Sequence, residues 1–133
     1  DVLSTSQKHE IEDCSRAWVK AAMEEQGFQV KEMSRNNPGY DLLAKKNGEE
    51  ILVEVKGHRK QPSKFNITPT ELGLSQKQTT DGSWMLWVVA NLDAYSEVGV
   101  TLTPIKAIGS VEPTGYLAKV GDCTQAPWPP EIA

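Results

Sequence analysis

Two cysteines are all that the 133 residues contain, and Cys14 and Cys123 stand far apart with no CxxC or Cys/His spacing. That shortage excludes a disulfide framework, argues against a structural zinc site and suits a reducing interior. No apolar run is long enough to cross a bilayer or act as a signal peptide, so the sequence predicts no membrane contact and a cytoplasmic location, or a nucleoid or nuclear one. Internal repeats and low-complexity blocks are missing too, which removes solenoids and biased tracts. Positive charge is scarce: 14 Lys and Arg against 18 Asp and Glu leave a net charge of −4. Spread evenly, that balance would count against nucleic-acid binding, because phosphates are met by Lys and Arg.

The charge is not spread evenly. The segment "KGHRKQPSK" carries Lys56, Arg59, Lys60 and Lys64 without an acid, whereas Glu10, Glu12, Asp13, Glu24 and Glu25 crowd the first helical segment. Such a basic loop is either a solvated surface or a phosphate contact; this one follows directly on Glu54 and Lys56. With 38% hydrophobic residues and four Trp, residues 1–133 fit a single domain, since division would leave two marginal cores. The chain starts at Asp1 rather than Met, so it is expected to be a piece of a larger protein whose attached domains are partners.

"SQKHEIEDCSRAWVKAAMEEQGF" spaces Ile11, Cys14, Trp18 and Ala22, with Val19 and Met23 beside them, as one face of a helix stopped by Gly27. Phe28, Val30 and Met33 read as a strand that the turn residues "RNNPG" break. Farther on, Thr68, Pro69 and Glu71 form a capping-box pattern that predicts a helix of two or three turns. "WMLWVVANL" is too apolar for a strand with one wet face, and reads as a central strand with Trp84 and Trp87 in the core. After it come a short strand, Val98 to Leu102, and a turn of helix; residues 124–133, with three prolines, read as an extended tail. The order αβββαβ implies an α/β sandwich around a mixed sheet.

Between the second and third strands, "KNGE" supplies Asn47-Gly48, the preferred two-residue hairpin turn. With those two residues in the loop, Lys46 pairs with Glu49 and Asp41 opposes Glu54. Lys56 shares the face of Glu54, while Leu42, Ala44, Ile51, Val53 and Val55 form the apolar face. Opposed carboxylates with Cβ atoms roughly 5 Å apart repel by about 3 kcal/mol at an effective dielectric of 20. Mg²⁺ (or Mn²⁺) between them removes the conflict, and Lys56 then stands where it would steer a water or stabilise charge on phosphate. The competing reading is a salt-bridge cluster on a solvated face.

Asp41, twelve intervening residues, then Glu54-Val55-Lys56 on a hairpin arm behind a helix resembles the PD-(D/E)XK nuclease superfamily. More narrowly, "IEDCSRAWV", "PGYDLLA", "ILVEVKG", "ITPTEL" and "WMLWVV" resemble successive blocks of the Protein NO VEIN C-terminal domain family. The resemblance implies a restriction-endonuclease-like three-layer core with a mixed central sheet. It implies a Mg²⁺-dependent nuclease acting on DNA, in a defence or helicase-linked protein, with a homodimer as a further expected state. It assigns Asp41 and Glu54 to the metal, the Val55 carbonyl as a further ligand, Lys56 to catalysis and Glu12 to the acid of the first helix, with Glu10 competing. One departure stands out: the small apolar residue that follows this acid in the family is replaced by Ser15 or Cys14, so the helix register stays open. A catalytically inactive DNA-binding or docking module of the same fold is the alternative.

Arg59, Lys60, Lys64 and His58 are the expected nucleic-acid contacts, His58 reading equally as a plain loop residue. Glu71 fits a recurring position of the family, but its capping box accounts for it. Tyr40 reads as core or rim, and Gln76 and Lys77 as a wet helix face.

Overall fold

Helix α1 (Thr5–Glu25) begins where Ser4 and Gln7 cap each other: the Ser4 hydroxyl accepts the Gln7 N–H (3.1 Å) and the Gln7 side chain accepts the Ser4 N–H (2.8 Å). It ends as Gly27 takes a φ of +90°, which costs a residue without a Cβ little. Its buried face corrects the expected stripe. Ser15, Val19 and Met23 point inward, whereas Cys14 is exposed and Trp18 is 42% exposed. The i to i+4 row is the one that meets the sheet, and it must pass a close approach to Gly57. A Cβ there would lie 2.8 Å from the Ser15 Cβ and 3.1 Å from the Ile11 side chain. Ser15 is therefore the helix residue that fits this close approach.

The structure, a computed structural model, describes residues 3–34, 40–78, 83–94, 100–108, 117–126 and 128, apart from the side chains of 77, 78, 94 and 107. Strands β1 (Gln29–Glu32), β2 (Leu42–Lys46) and β3 (Glu49–Gly57) form an antiparallel meander. Asn47 (φ 53°) and Gly48 (φ 81°) make the turn, and the ladder runs from Lys46 opposite Glu49 to Leu42 opposite Val53, the register their sequence predicts. Strand β4 (Lys64–Asn66) and helix α2 (Pro69–Gln78) lead to β5 (Trp84–Ala90), which lies parallel to β3 and is buried at all seven positions. Strand β6 (Thr101–Ala107) is antiparallel to β5. A short ribbon joins β4 to β7 (Leu117–Lys119), and β8 (Thr124–Gln125) closes the main sheet, ordered β1-β2-β3-β5-β6-β8.

Two apolar clusters make this a three-layer α/β core of the restriction-endonuclease-like kind, order αβββαβ with β4 inserted. Val19 and Met23 of α1 pack on Leu42, Ala44, Val53, Met85, Trp87 and Val89. On the other face, Trp84, Leu86 and Val88 meet Phe65, Ile67 and Ile105, with Leu72 and Leu74 of α2 against them. Burial of each such side chain contributes about 1.5–3 kcal/mol. Both tryptophans are in the core as expected, each 1% exposed.

Two expectations from the C-terminal third change. Where a turn of helix was expected after Leu102, β6 continues to Ala107; Val98 and Gly99 lie outside the described residues. Pro104 is tolerated because its polar edge faces away from β5: its carbonyl accepts the Ala126 N–H (2.9 Å), so the N–H it lacks would point at the two-residue edge strand β8. Of the segment read as an extended tail, 124–133, Thr124 and Gln125 form β8. Trp128 packs edge-on against Trp87 at 4.8 Å and stacks on Phe28 at 6.2 Å. Among the described residues no helix is long and apolar enough to cross a membrane.

Candidate active site

The β2–β3 ladder stops at Leu42, and Asp41 sits in a bend one residue before it. Its N–H donates to the Val53 carbonyl (2.7 Å), and its carboxylate Oδ2 accepts the Val55 N–H (2.8 Å) in place of the next ladder bond. Asp41 therefore opposes Glu54 through side chains and not as a backbone pair, yet the Glu54 carboxyl still comes within hydrogen-bonding reach of Asp41. Period-two alternation along β3 puts Lys56 on the same face. Its Nζ lies 3.2 Å from Glu54 Oε2 and 2.9 Å from Glu71 Oε1.

Glu71, read from the sequence as a helix cap, also belongs to the site. Thr68 and Glu71 do form the expected capping box, the Thr68 hydroxyl accepting the Glu71 N–H (3.1 Å) and Glu71 Oε1 accepting the Thr68 N–H (2.9 Å). The same Oε1 holds Lys56, so one carboxylate both starts α2 and anchors the site. Arg16 was missed; its Nη2 lies 3.1 Å from Asp41 Oδ1. Only its spacing of one helical turn from Glu12 hinted at a shared destination.

These side chains line one cavity of about 560 Å³, with Glu12, Arg16, Asp41, Glu54, Lys56 and Glu71 in its wall. Glu10, the competing acid, lines a different depression beside Cys14, which assigns the site-facing position to Glu12. Burial pushes the Glu54 carboxyl far above the ordinary value of 4.5, and hydrogen bonds with Glu71 and Asp41 push it the same way. Burial pulls the Lys56 ammonium down, but Glu54 and Glu71 outweigh it and the net shift is upward. Burial raises Glu71 too, yet its bonds to Glu54 and Lys56 reverse that, leaving it below 4.5.

The donor set fits a hard divalent cation. Asp41, Glu54 and Glu71 bring three carboxyls together with Arg16 and Lys56, which lie 3.1 Å from Asp41, 3.2 Å from Glu54 and 2.9 Å from Glu71. A strand residue directs its N–H and C=O to the same edge, so the Val55 carbonyl opens toward Asp41 as well. Among the described residues no three His, Cys, Asp or Glu side chains are placed to hold an ion by themselves. Mg²⁺ takes one or two carboxylates and completes its shell with carbonyl, water and phosphate oxygens.

The other expected contacts are spread out. Arg59 Nε bonds both oxygens of Asp93 (2.9 and 2.8 Å), and its loop is stitched to the segment after β5 through the His58 and Arg59 carbonyls. Arg59 and Lys60 line a neighbouring cavity of about 540 Å³, His58 borders both cavities, and Lys64 stands exposed on β4. Burial holds the His58 imidazole below its usual range. Tyr40 is half-buried and Gln76 exposed; the Lys77 side chain lies outside the described set.

The family model of Protein NO VEIN, C-terminal, matches residues 11–101. The chain belongs to this family. The matched span runs from the middle of α1 into β6, so the NO VEIN C-terminal region holds Glu12, Arg16, Asp41, Glu54, Lys56 and Glu71 together. No curated protein matches the chain.

Proposed function

We propose that this NO VEIN C-terminal domain is a Mg²⁺- or Mn²⁺-dependent nuclease that hydrolyses DNA phosphodiester bonds. The observation that carries the reading is the convergence of Asp41, Glu54 and Lys56 in one cavity. Asp41 and Glu54 would hold the cation, with the Val55 carbonyl as a third ligand and Glu12 in the cavity wall beside them. The cation would supply Lewis acidity, offsetting the charge of the scissile phosphate and making a water acidic enough to attack near neutral pH. Lys56, fixed between Glu54 and Glu71, orients the nucleophile and counters charge growing on the phosphate oxygens.

Delivery of DNA falls to other parts of the assembly. With a net charge of −4 and Arg59 committed to Asp93, the domain alone offers few phosphate contacts. Attached domains of a helicase-linked or defence protein, or a second copy of the chain, would raise the effective concentration of substrate.

Calorimetric titration with Mn²⁺, beside an Asp41→Asn, Glu54→Gln double variant matched for folding, is the direct test. The wild type is expected to bind and to release a proton as Glu54 gives it up, so affinity should rise with pH; the variant should do neither. Lack of binding by the folded wild type would sink the reading. A second reading, an inactive DNA-binding or docking module, is favoured by one observation: both oxygens of Asp41 are already taken, by Arg16 and by the Val55 N–H.

A further inference from the structure

A cation placed on Asp41 would meet the positive charge of the Arg16 guanidinium, 3.1 Å from Oδ1, and the two partners of that carboxylate differ in what they can do. The Val55 N–H is fixed in the backbone of β3, whereas the Arg16 guanidinium ends a flexible side chain. Arg16 is the partner that moves. It cannot escape to water, however, because its side chain is only 11% exposed, and its other ion pair, Nη1 to the largely exposed Asp13, is long at 3.7 Å. A guanidinium left buried and unpaired costs several kcal/mol. A displaced Arg16 therefore needs a new anion inside the same cavity, and its planar fork of donors matches the two free oxygens of a phosphodiester.

We propose that Arg16 couples the two ligands of the site. Without a divalent cation it occupies Asp41; displaced by the cation it takes hold of the phosphodiester, so that cation and nucleic acid each bind more tightly when the other is present. The inference rests on the phosphodiesterase reading and adds to it a residue and a thermodynamic linkage, which must be reciprocal. It also accounts for the closed state of Asp41: a site plugged by its own cation stays idle until substrate arrives.

The test is Mn²⁺ affinity, measured on the full chain by calorimetry with and without short duplex DNA, cold enough that hydrolysis is negligible during the titration. For the wild type, DNA should tighten Mn²⁺ binding by about tenfold or more, within the usual range for linked sites. Arg16→Met should bind Mn²⁺ more tightly than the wild type in the absence of DNA, and DNA should then tighten it by a smaller factor than in the wild type, the part that remains being direct contact of cation and phosphate. Arg16→Lys keeps the charge without the fork, so its coupling should be weaker than that of the wild type; it carries the comparison if the methionine variant does not fold. A residue that merely positions Asp41 would change affinity by one factor in both conditions, and that result overturns the proposal. So does equal Mn²⁺ affinity with and without DNA in the wild type, as expected if Arg16 simply transfers to Glu12 one turn earlier. Absence of Mn²⁺ binding in wild type and variants alike removes the phosphodiesterase reading, and this inference with it.

Discussion

Buried beside Asp41 and Glu71, the Glu54 carboxyl keeps its proton to a pH far above 4.5. The unfolded chain ionises that group near its ordinary value, so the metal-free fold loses stability as pH rises from there toward the raised folded value. The neighbouring groups act in other windows. Glu71, lowered, adds stability that is lost only as pH falls below 4.5; Lys56, raised, adds stability that is lost only above 10.5; His58, lowered, adds stability as pH rises through 6.5 and is nearly complete about one unit above it. Between about pH 7 and 9, therefore, Glu54 dominates the slope within this cluster, with an upper limit of about 1.4 kcal/mol per pH unit. Urea unfolding across that window should show stability falling with pH in the metal-free wild type and a flatter profile in Glu54→Gln. An equal slope in both would mean that Glu54 is ionised in the fold.

At the scale of elements, the site depends on two contacts that set where helices lie. Helix α1 comes so close to β3 at Gly57 that Ser15 fills the space a Cβ would need. Gly57→Ala must push α1 outward, carrying Glu12 and Arg16 away from Asp41. Thermal or urea unfolding should show a loss of about 1–3 kcal/mol, the usual cost of overpacking, and Mn²⁺ affinity should change with it. Unchanged stability would show that α1 is free to shift. Helix α2 is held differently, by a carboxylate that is both its cap and the anchor of Lys56. Its first turn and Lys56 are thus one structure, and neither can relax without the other.

The whole molecule carries a net charge of −4, against which the proposed site would have to receive a polyanion. Among its basic residues, Lys60 is exposed whereas Arg59 already pairs with Asp93. If DNA lies along this loop, Lys60→Gln should lower the slope of log affinity against log salt by about 0.9, one phosphate contact, and Arg59→Gln should lower it by less; filter binding at several salt concentrations would read both. Equal effects would show that Arg59 leaves Asp93 for phosphate. Much of this architecture was written locally. Asn47-Gly48 set the turn and with it the register, Thr68-Pro69-Thr70-Glu71 set the start of α2, and the unbroken apolar run of β5 set its central place, because backbone sterics, capping and burial act over a few residues. Distant partners decided the rest. Helical periodicity leaves adjacent stripes of α1 nearly equivalent, and only the approach of Gly57 selected Ser15 and Val19 over Cys14 and Trp18. Pro104 suits a strand only because a short edge strand lies beyond it. The pairing of Arg16 with Asp41 and of Lys56 with Glu71 joins elements whose order says nothing of their distance. Sequence alone determined which carboxylates share a face of the hairpin; the tertiary structure decided which cations reach them, since that depends on how both helices pack.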